Sequence, residues 1–555
     1  MVKKVLQFVG REIKGLHEAA YLLGLFAFLS QLLGLVRDRL LAAQFGPSLE
    51  LDIYYASFRI PDLLFVIISS LVSLSVLVPF IVKVIKDNEA ERQKFIDTIF
   101  TIVFLISIFL SAAAFILAKP LLLMLFPDLM HGSHANELTL LTRITLLQPI
   151  FLSFSSFYAS FVQVYKRFFI YAISPLLYNL GIISGIAIFY KFFGLSGLAV
   201  GVVLGSLMHL IVQVPYVSKY GINPKLTFYP DLLLVKQVLK LSLPRTFALL
   251  GNQIIQIILL VFAGSMVVGS ISIFSLSFNL QSVPLAIIGM SYSLAAFPTL
   301  ARFFADGDME SFILQITKAA RHILFWSIPI TVMFIVLRAQ IVRTILGTDQ
   351  FSWNDTRLTA AALAIFSISI VAQSLALLFV RGFYSAGETK KPVYFAFISV
   401  LVTIISSFLF IYLFKNNTAF SNFLESLLKV EGLNGTVVLM LPLAFSIGQI
   451  VNAVLLWSHF DRAYKFFSNI LWRSVFHSVG SSLIAGFCTF IFLRLLDNVF
   501  DLETLLGIFA QGFLAGVGGL IIGALVLLLL GNQEIRTVWK TLHHKILKTR
   551  FIGGE

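Results

Sequence analysis

Long apolar stretches recur along the whole chain and are separated by short polar or charged segments. Representative stretches are 102–118, 198–214, 397–413 and 505–530. A helix of about 20 residues is long enough to cross about 30 Å of hydrocarbon. The alternation of apolar and polar side chains over about 10 residues that is typical of a membrane β-strand is not found. The pattern therefore predicts a polytopic α-helical membrane protein.

The spacing of these stretches predicts an all-α integral membrane fold of about fourteen transmembrane helices, in two six-helix lobes plus two extra C-terminal helices. The predicted spans are 19–45, 51–82, 96–118, 138–164, 168–190, 196–217, 232–264, 270–300, 311–337, 358–386, 392–414, 434–460, 474–494 and 504–530. The predicted domains are a basic amphipathic segment at 1–18, an N-lobe at 19–230, a C-lobe at 231–461, the extra helices at 462–531 and a basic tail at 532–555.

A weak internal repeat supports the two lobes. Pro79–Asp87 parallels Pro298–Asp306, and Gly194–Gly197 parallels Gly432–Gly435. The offsets, 219 and 238 residues, differ, which an enlarged loop at 416–431 would explain. Parallel repeats of this kind are a transporter architecture, with the substrate site between the halves.

Composition and charge agree with a membrane protein. The 555 residues are 58% hydrophobic and 12% charged, against about 25% charged in a soluble domain. Most of the 41 lysines and arginines lie in loops and span ends that an inside N-terminus places in the cytoplasm. This positive-inside pattern favours both termini in the cytoplasm. The net charge of +14 is thus explained by topology, and we expect no nucleic-acid partner.

The sequence gives no motif of an enzyme. A phosphate-binding loop with the pattern G-x-x-x-x-G-K-S/T is absent, as is any histidine pair with the spacing H-x-x-x-H. The single cysteine, Cys488, lies in an apolar run and is expected to be a packing residue. We therefore expect no catalytic residue, no metal and no cofactor.

Six arginines fall within predicted spans: Arg37, Arg39, Arg59, Arg143, Arg245 and Arg381. A guanidinium at the centre of a membrane helix costs about 2.5 to 3.5 kcal/mol, so it should face a water-filled cavity or a partner. Arg143 and Arg381 lie nearer span ends, where a structural role is expected. Arg245 follows Pro244 and has no local acid, so we expect it to face a cavity.

The first two spans combine acids and arginines. Arg37, Asp38 and Arg39 interrupt the first span, and Asp52 and Arg59 lie near the start of the second. One interpretation is a structural salt-bridge cluster near one membrane face. The other is an anion-binding site, because guanidinium matches phosphate in a bidentate geometry. Residue type alone leaves both open.

The same region resembles a known family. Ser30–Asp38 has the sequence S-Q-L-L-G-L-V-R-D, followed by Gln44-Phe-Gly46, by Leu51–Leu64 and by Val78-Pro79. These segments resemble the S-R-x-L-G-x-x-R-D, F-G, T-D-A-F-x-x-A-F-x-x-P-N-L-L and V-P pattern of the MurJ (MviN) lipid II flippases, members of the multidrug/oligosaccharidyl-lipid/polysaccharide exporter superfamily. Later matches extend the resemblance over predicted spans 1 to 12.

The resemblance implies a flippase in the cytoplasmic (inner) membrane. Such proteins move the undecaprenyl-pyrophosphate-linked peptidoglycan precursor from the inner to the outer leaflet by alternating access. The implied partners are this lipid-linked glycan and the membrane lipids, and we expect a monomer. A cationic cavity would lower the cost of carrying a pyrophosphate through a low-dielectric region. The expected substrate-binding residues are Arg37, Asp38, Asp52, Arg59, Arg245 and Asn279.

The chain departs from the family pattern at several positions. Gln31, Phe65 and Asn279 stand where the pattern has arginines, and Ser70-Leu71 replaces its E-G pair. Of the expected cavity arginines, Arg37 is clearly in place. Three interpretations follow: other cations bind the pyrophosphate, the substrate is another lipid-linked oligosaccharide, or the chain is a non-transporting scaffold.

Overall fold

The computed structural model describes residues 16–71, 77, 89–132, 134–165, 167–464, 468–532 and 534–536, and its regular structure is helical. The helices up to the middle of the chain are α1 Leu16–Phe45, α2 Leu49–Ser57, α3 Arg59–Leu71, α4 Glu89–Ile116, α5 Ala118–Leu125, α6 Pro127–Met130, α7 Ala135–Thr145, α8 Leu147–Val164, α9 Phe168–Ser184, α10 Tyr190–Phe193, α11 Leu195–Ile211, α12 Val214–Ser218 and α13 Leu232–Gly264. The later helices are α14 Ser270–Pro284, α15 Ser291–Ala305, α16 Met309–Val336, α17 Arg338–Leu346, α18 Trp353–Ile368, α19 Ile370–Ser385, α20 Lys390–Asn416, α21 Thr418–Leu428, α22 Met440–Tyr464, α23 Ser468–Leu496 and α24 Leu505–Leu529. Turns of π-helix at Gly185–Phe189 and Leu285–Met290 join α9 to α10 and α14 to α15, and a 3-10 turn, Thr436–Leu439, precedes α22.

The apolar helices agree with most of the predicted spans. Ten helical segments within the described ranges are long and apolar enough to cross a membrane, and the pair α18 and α19, bent by 41°, makes an eleventh. The other three predicted spans fall on α1, on α2 with α3, and on α13, where charged residues or a helix break interrupt the apolar run. The all-α, multi-span membrane fold is confirmed. The count of fourteen is not confirmed by length and composition.

The chain divides into two compact units. The first consists of residues 1–275 with 349–351, and the second of residues 276–348 with 352–555. Their boundary falls inside α14, whereas the predicted lobes divide after residue 230. The six-plus-six plan stays a prediction. The basic segment at 1–18 and the tail at 532–555 lie almost entirely outside the described residues, as does Pro79–Asp87.

The succession of helix lengths and breaks repeats along the chain. α4 ends at Ile116 and α5 begins two residues later, just as α16 ends at Val336 and α17 begins two residues later. These two ends are 220 positions apart. Next, α7 and α8 are separated by Leu146 alone, and α18 and α19 by Ser369 alone. The helix bounds therefore support an internal duplication.

The offset grows after the next long helix of each copy. Gly194 and Gly432, which are 238 positions apart, both adopt positive φ angles, of 57° and 70°. In the first copy α10 leads directly into Gly194, whereas α21 intervenes before Gly432 in the second. The extra helix lies in the loop at 416–431 that the unequal offsets pointed to.

Glycines let two helices of the first unit pack at backbone distance. Gly181 of α9 and Gly185, the first residue of the π-helical turn that follows, face Gly201 and Gly205 of α11, and a Cβ built on Gly201 would lie 2.3 Å from the Gly185 Cα. A Cβ on Gly181 would meet the Gly205 Cα at 2.2 Å. Small residues at intervals of four allow this close approach of membrane helices, whose association depends on van der Waals packing.

Each unit has its own apolar core. In the first unit Phe157 of α8 packs against Ile99 of α4. In the second, Phe312, Phe379 and Phe460 bring α16, α19 and α22 together. These fully buried aromatic rings contribute large apolar areas to each core.

A buried ion pair fixes the end of the described chain in the second unit. Arg321 Nε of α16 lies 2.5 Å from the Glu534 Oε1, and the Glu534 side chain is 5% exposed. Because an unpaired buried carboxylate is costly, this pair holds the segment after α24 against α16.

Candidate functional site

Prolines set the helix breaks that present the polar residues of the first unit. Pro61 and Pro149 each lie four residues after the end of the preceding helix, where a continuous helix would need the N–H that proline lacks. α2 accordingly ends at Ser57 and α7 at Thr145. The Ser57 carbonyl, left without its helical donor, accepts a hydrogen bond from the Thr145 hydroxyl at 3.4 Å. The two breaks therefore lie side by side.

Arg37 of α1 is paired with its neighbour Asp38. Its Nε donates to the Asp38 Oδ1 at 2.9 Å, and its Nη2 lies 2.8 Å from the same oxygen. The Asp38 side chain is 2% exposed and that of Arg37 is 23% exposed. Arg37 engages Asp38 through one edge of its guanidinium, and no hydrogen bond from the Nη1 edge to another described residue is found. The planar fork keeps donors for a second anion.

Arg59 begins α3 immediately after the break at Phe58. Its Nε donates to the Tyr55 carbonyl at 3.1 Å, and the residue is 9% exposed. Asp62, one turn further along α3, is its electrostatic partner. The break thus places a second guanidinium and a second carboxylate in the same buried region.

Asp62 is held from the neighbouring break by Gln148. The Gln148 Nε2 donates to the Asp62 Oδ1 at 3.3 Å. Gln148 is 3% exposed, and its Oε1 has no hydrogen-bond partner. A buried amide oxygen without a donor is costly, so this acceptor is suited to a hydroxyl or amide group brought by a ligand.

Two tyrosines lie near the Arg37–Asp38 ion pair and near Arg59 and Asp62. Tyr55 interacts electrostatically with both Arg37 and Arg59, and Tyr178 of α9 interacts with Asp62 and Arg37. The Tyr55 hydroxyl is buried and has no hydrogen-bond partner. We call the set Arg37, Asp38, Tyr55, Arg59, Asp62, Gln148 and Tyr178 the arginine cluster. Its two arginines and two aspartates cancel in formal charge, as in a structural salt-bridge cluster. Its unbonded guanidinium edge and hydroxyl are those of an anion-binding site, so the cluster has features of both interpretations that the sequence left open.

Asp52, predicted to bind substrate, caps the start of a helix. Its carboxylate accepts hydrogen bonds from the Gly269 and Ser272 N–H groups, both at 2.7 Å, and from the Ser272 hydroxyl at 2.6 Å. These donors lie at the start of α14, where backbone N–H groups lack helical acceptors. Both oxygens of the Asp52 carboxylate are thus engaged in stabilising the start of α14. No finding tests its predicted contact with substrate.

Two predicted site residues, Arg245 and Asn279, make no contact that the structure describes with the arginine cluster. Arg245 is on α13, but its side chain is outside the described part of the structure. Its neighbour Thr246 joins α13 to α3 through a 2.6 Å hydrogen bond to the Ser70 hydroxyl. Asn279 lies on α14 within the second unit and is half-buried. Their roles in substrate binding stay predictions.

Two of the arginines within predicted spans stabilise helix ends or helix contacts. Arg143 donates to the Phe115 carbonyl near the end of α4 at 3.2 Å and lies over the Phe115 ring. Arg381 donates to the Ser293 hydroxyl at 3.2 Å and lies 5.9 Å from the centre of the Phe297 ring. Both arrangements fit the structural role expected for them.

Asp62, Gln148, Tyr55 and Tyr178 were not among the predicted site residues. Asp62 follows Pro61 and Gln148 precedes Pro149. Both residues could have been found from the sequence, because each is a polar residue next to a proline inside an apolar stretch. A proline leaves backbone groups of a membrane helix without their helical partners, and polar residues nearby can satisfy them. Within the described ranges, no group of three or more histidine, cysteine or acidic side chains is placed to hold a metal ion.

Comparisons with known proteins identify the family. The family model of the lipid II flippase MurJ matches residues 41–510. The chain belongs to the MurJ family. A probable lipid II flippase MurJ of Buchnera aphidicola is 26% identical over 393 residues, covering 70% of this chain and 77% of the relative. The lipid II flippase MurJ of Burkholderia cenocepacia is 25% identical over 395 residues, covering 70% of this chain and 76% of the relative.

Solved structures support the MurJ fold. A structure of the lipid II flippase MurJ in an inward closed conformation aligns with a TM-score of 0.72 at 22% identity, covering 93% of this chain and 99% of that one. An inward-facing multidrug transporter of the MATE family aligns with a TM-score of 0.61 at 15% identity, over 79% of this chain and 95% of that one. The chain thus shares its fold with solved structures of both proteins.

Proposed function

We propose that this chain is a flippase that moves lipid II, a polyprenyl-pyrophosphate-linked peptidoglycan precursor, from the inner to the outer leaflet of the cytoplasmic membrane. Membership of the MurJ family supports this function. The observation that carries the site assignment is Arg37, which occupies the arginine of the family pattern and keeps one guanidinium edge unbonded while the other edge is paired with Asp38. The transport would use alternating access, with both termini in the cytoplasm.

The chemistry of the cluster suits a pyrophosphate. Moving an isolated phosphate anion out of water costs many kcal/mol, so the site must provide charge-assisted hydrogen bonds. Arg37 and Arg59 supply guanidiniums, and the Tyr55 hydroxyl supplies a buried donor, whereas the Gln148 Oε1 would accept from a hydroxyl or amide group of the substrate. Asp38 and Asp62 balance the two guanidiniums in formal charge. Their carboxylates compensate two cations that would otherwise lie unpaired in a low-dielectric region.

We assign Arg37 and Arg59 to phosphate binding, and Asp38 and Asp62 to holding these arginines in place. Arg245 and Asn279 are proposed as further contacts to the substrate. The role proposed for Asp52 is structural, because its three hydrogen bonds hold the start of α14.

A second candidate function is export of another lipid-linked oligosaccharide. The observation that favours it is the loss of three family arginines at Gln31, Phe65 and Asn279. Fewer cations would suit a substrate with fewer phosphate charges, because each charge-assisted hydrogen bond adds to affinity.

Rescue of cells depleted of their own lipid II flippase tests the proposal. Expression of the unchanged chain should restore growth, and Arg37→Ala should abolish the rescue. Arg143→Ala is the matched control, because this arginine contacts the Phe115 carbonyl and lies outside the cluster. Rescue by Arg37→Ala as strong as by the control would remove Arg37 from the site. Absence of rescue by the unchanged chain, at normal membrane expression, would favour the second candidate.

A further inference from the structure

The loop between α12 and α13, residues 223–231, runs along α4 and turns back on itself. Its outgoing half is fastened by three hydrogen bonds: from the Gln93 Nε2 to the Asn223 carbonyl at 3.0 Å, from the Lys225 N–H to the Asp97 Oδ1 at 2.7 Å, and from the Thr227 N–H to the Thr101 Oγ1 at 3.0 Å. The α4 partners are four residues apart and so share one face of the helix. From Gln93 to Thr101 the loop advances about 12 Å along the helix axis.

The returning half of the loop retraces part of this path. The Asp231 N–H donates to the Thr98 Oγ1 at 3.3 Å, and the Asp231 carboxylate lies 3.2 Å from the Lys94 Nζ. Asp231 then caps α13 by accepting from the Leu233 and Leu234 N–H groups. The residues between Thr227 and Asp231 therefore form a tip at the level of Thr101.

That level lies within the apolar part of α4. The charged residues of α4 are Glu89, Glu91, Arg92, Lys94 and Asp97, and the helix is uncharged from residue 98 to its end. Thr101 is one turn beyond the last of them. Because α4 is one of the candidate membrane spans, the tip reaches past the charged boundary of the helix toward the hydrocarbon.

The tip carries exposed aromatic side chains at the level of Thr101. Phe228 is 95% exposed and Tyr229 is 89% exposed, and the flanking Leu226, Leu232 and Leu233 are also exposed. Burying such rings in an apolar phase is favourable, because it removes large apolar surfaces from water. Exposed aromatic side chains near the end of a span are typical of the membrane interface.

Part of the loop backbone is hydrogen-bonded within the protein. Lys225, Thr227 and Asp231 direct their N–H groups to side chains of α4, and the Tyr229 N–H donates to the Thr227 Oγ1 at 3.2 Å. Two further positions, 224 and 230, are prolines and have no N–H. Irregular backbone is tolerated at membrane depth when its polar groups are satisfied within the protein.

We infer that residues 223–231 form a membrane-dipping loop whose tip, Phe228 and Tyr229, inserts among the acyl chains of bilayer phospholipids. Lys225, exposed nearer the charged end of α4, lies where it can contact the phosphate headgroups. The loop thereby sets the depth at which α13 begins.

Spin-label accessibility in reconstituted vesicles of phosphatidylethanolamine and phosphatidylglycerol tests this inference. The native cysteine is replaced by Cys488→Ser, and a nitroxide is attached to Phe228→Cys or, as a second site, to Tyr229→Cys. Glu89→Cys is the matched control, because the Glu89 side chain is 90% exposed on the charged end of the same helix. Labels at the tip should collide more with lipid-soluble oxygen than with a water-soluble nickel chelate, and the control label should show the reverse preference.

Two outcomes would overturn the inference. A tip label that prefers the nickel chelate, as the control does, would place the loop in water. A tip label shielded from both reagents would place the loop against protein.

A third variant tests whether the hydrogen bonds to α4 set the depth of the tip. Thr101→Val removes the acceptor for the Thr227 N–H and should make the tip label more accessible to the nickel chelate. An unchanged accessibility would contradict the proposed role of this hydrogen bond.

Discussion

The pairing of Arg37 with Asp38 allows the structural and the substrate-binding roles of Arg37 to be separated. Arg37→Ala removes a guanidinium that lies 2.8 Å from the Asp38 carboxylate, whose side chain is 2% exposed. Breaking a buried pair costs about 3 to 5 kcal/mol. Because the Arg37 side chain is itself 23% exposed, we expect a loss at the lower end, about 3 kcal/mol of unfolding free energy. Asp38→Asn in the same chain removes the buried negative charge and should restore most of this stability.

Substrate binding should respond differently. If Arg37 donates to the pyrophosphate, the double variant Arg37→Ala with Asp38→Asn folds well but still lacks a charge-assisted hydrogen bond, worth about 1.5 to 3 kcal/mol. This corresponds to about a 10- to 100-fold weaker affinity. Thermal unfolding in detergent measures the first effect, and titration with undecaprenyl pyrophosphate measures the second. A double variant that recovers both stability and affinity would refute the binding role and leave Arg37 as a structural ion pair.

Three further substitutions test how the helices are held. Asp52→Ala removes the cap of α14 and should cost about 1 to 3 kcal/mol of unfolding free energy, measured by thermal unfolding. Gly201→Ala places a Cβ 2.3 Å from the Gly185 Cα and should lower the unfolding midpoint and the yield of folded protein by separating α9 from α11. Arg321→Ala leaves the buried Glu534 carboxylate unpaired and should cost about 3 kcal/mol, with faster proteolysis of the segment after α24.

Matched controls exist for two of these changes. Gly24→Ala on α1 adds a methyl group where no atom lies within 4 Å, so it should leave the unfolding midpoint unchanged. Arg302→Ala removes an arginine whose side chain is 74% exposed and whose contact with Asp306 is 3.9 Å long, so it should have little effect. A loss of stability in Gly24→Ala equal to that in Gly201→Ala would contradict the close packing of the helices. A loss in Arg302→Ala equal to that in Arg321→Ala would contradict the importance of the buried ion pair.

The apolar pattern predicted most of the helices because lipid-facing helices must be apolar over their whole length. It was least informative at α1, α2 with α3, and α13, where the functional candidates Arg37, Arg59 and Arg245 interrupt the apolar stretches. A polar residue weakens the signal of a span at the position where a transporter needs it.

The role of Asp52 could not be predicted from local sequence. Its partners, the Gly269 and Ser272 N–H groups, are more than 200 positions away, at the start of α14. The sequence shows a carboxylate near arginines, but the choice between binding a ligand and capping a distant helix depends on the tertiary fold. Gln148 and Asp62 meet for the same kind of reason, since the breaks before Pro61 and Pro149 become neighbours only after folding.

Translocation by the purified protein in liposomes tests the central claim most directly. Fluorescent lipid II is placed in the bilayer, and the fraction that changes leaflet is followed with a membrane-impermeant quencher. The proposed function predicts protein-dependent translocation that the double variant Arg37→Ala with Asp38→Asn slows by about 10- to 100-fold, while Arg143→Ala retains it. Translocation by the unchanged protein no faster than in protein-free liposomes would contradict the assignment of lipid II as its substrate.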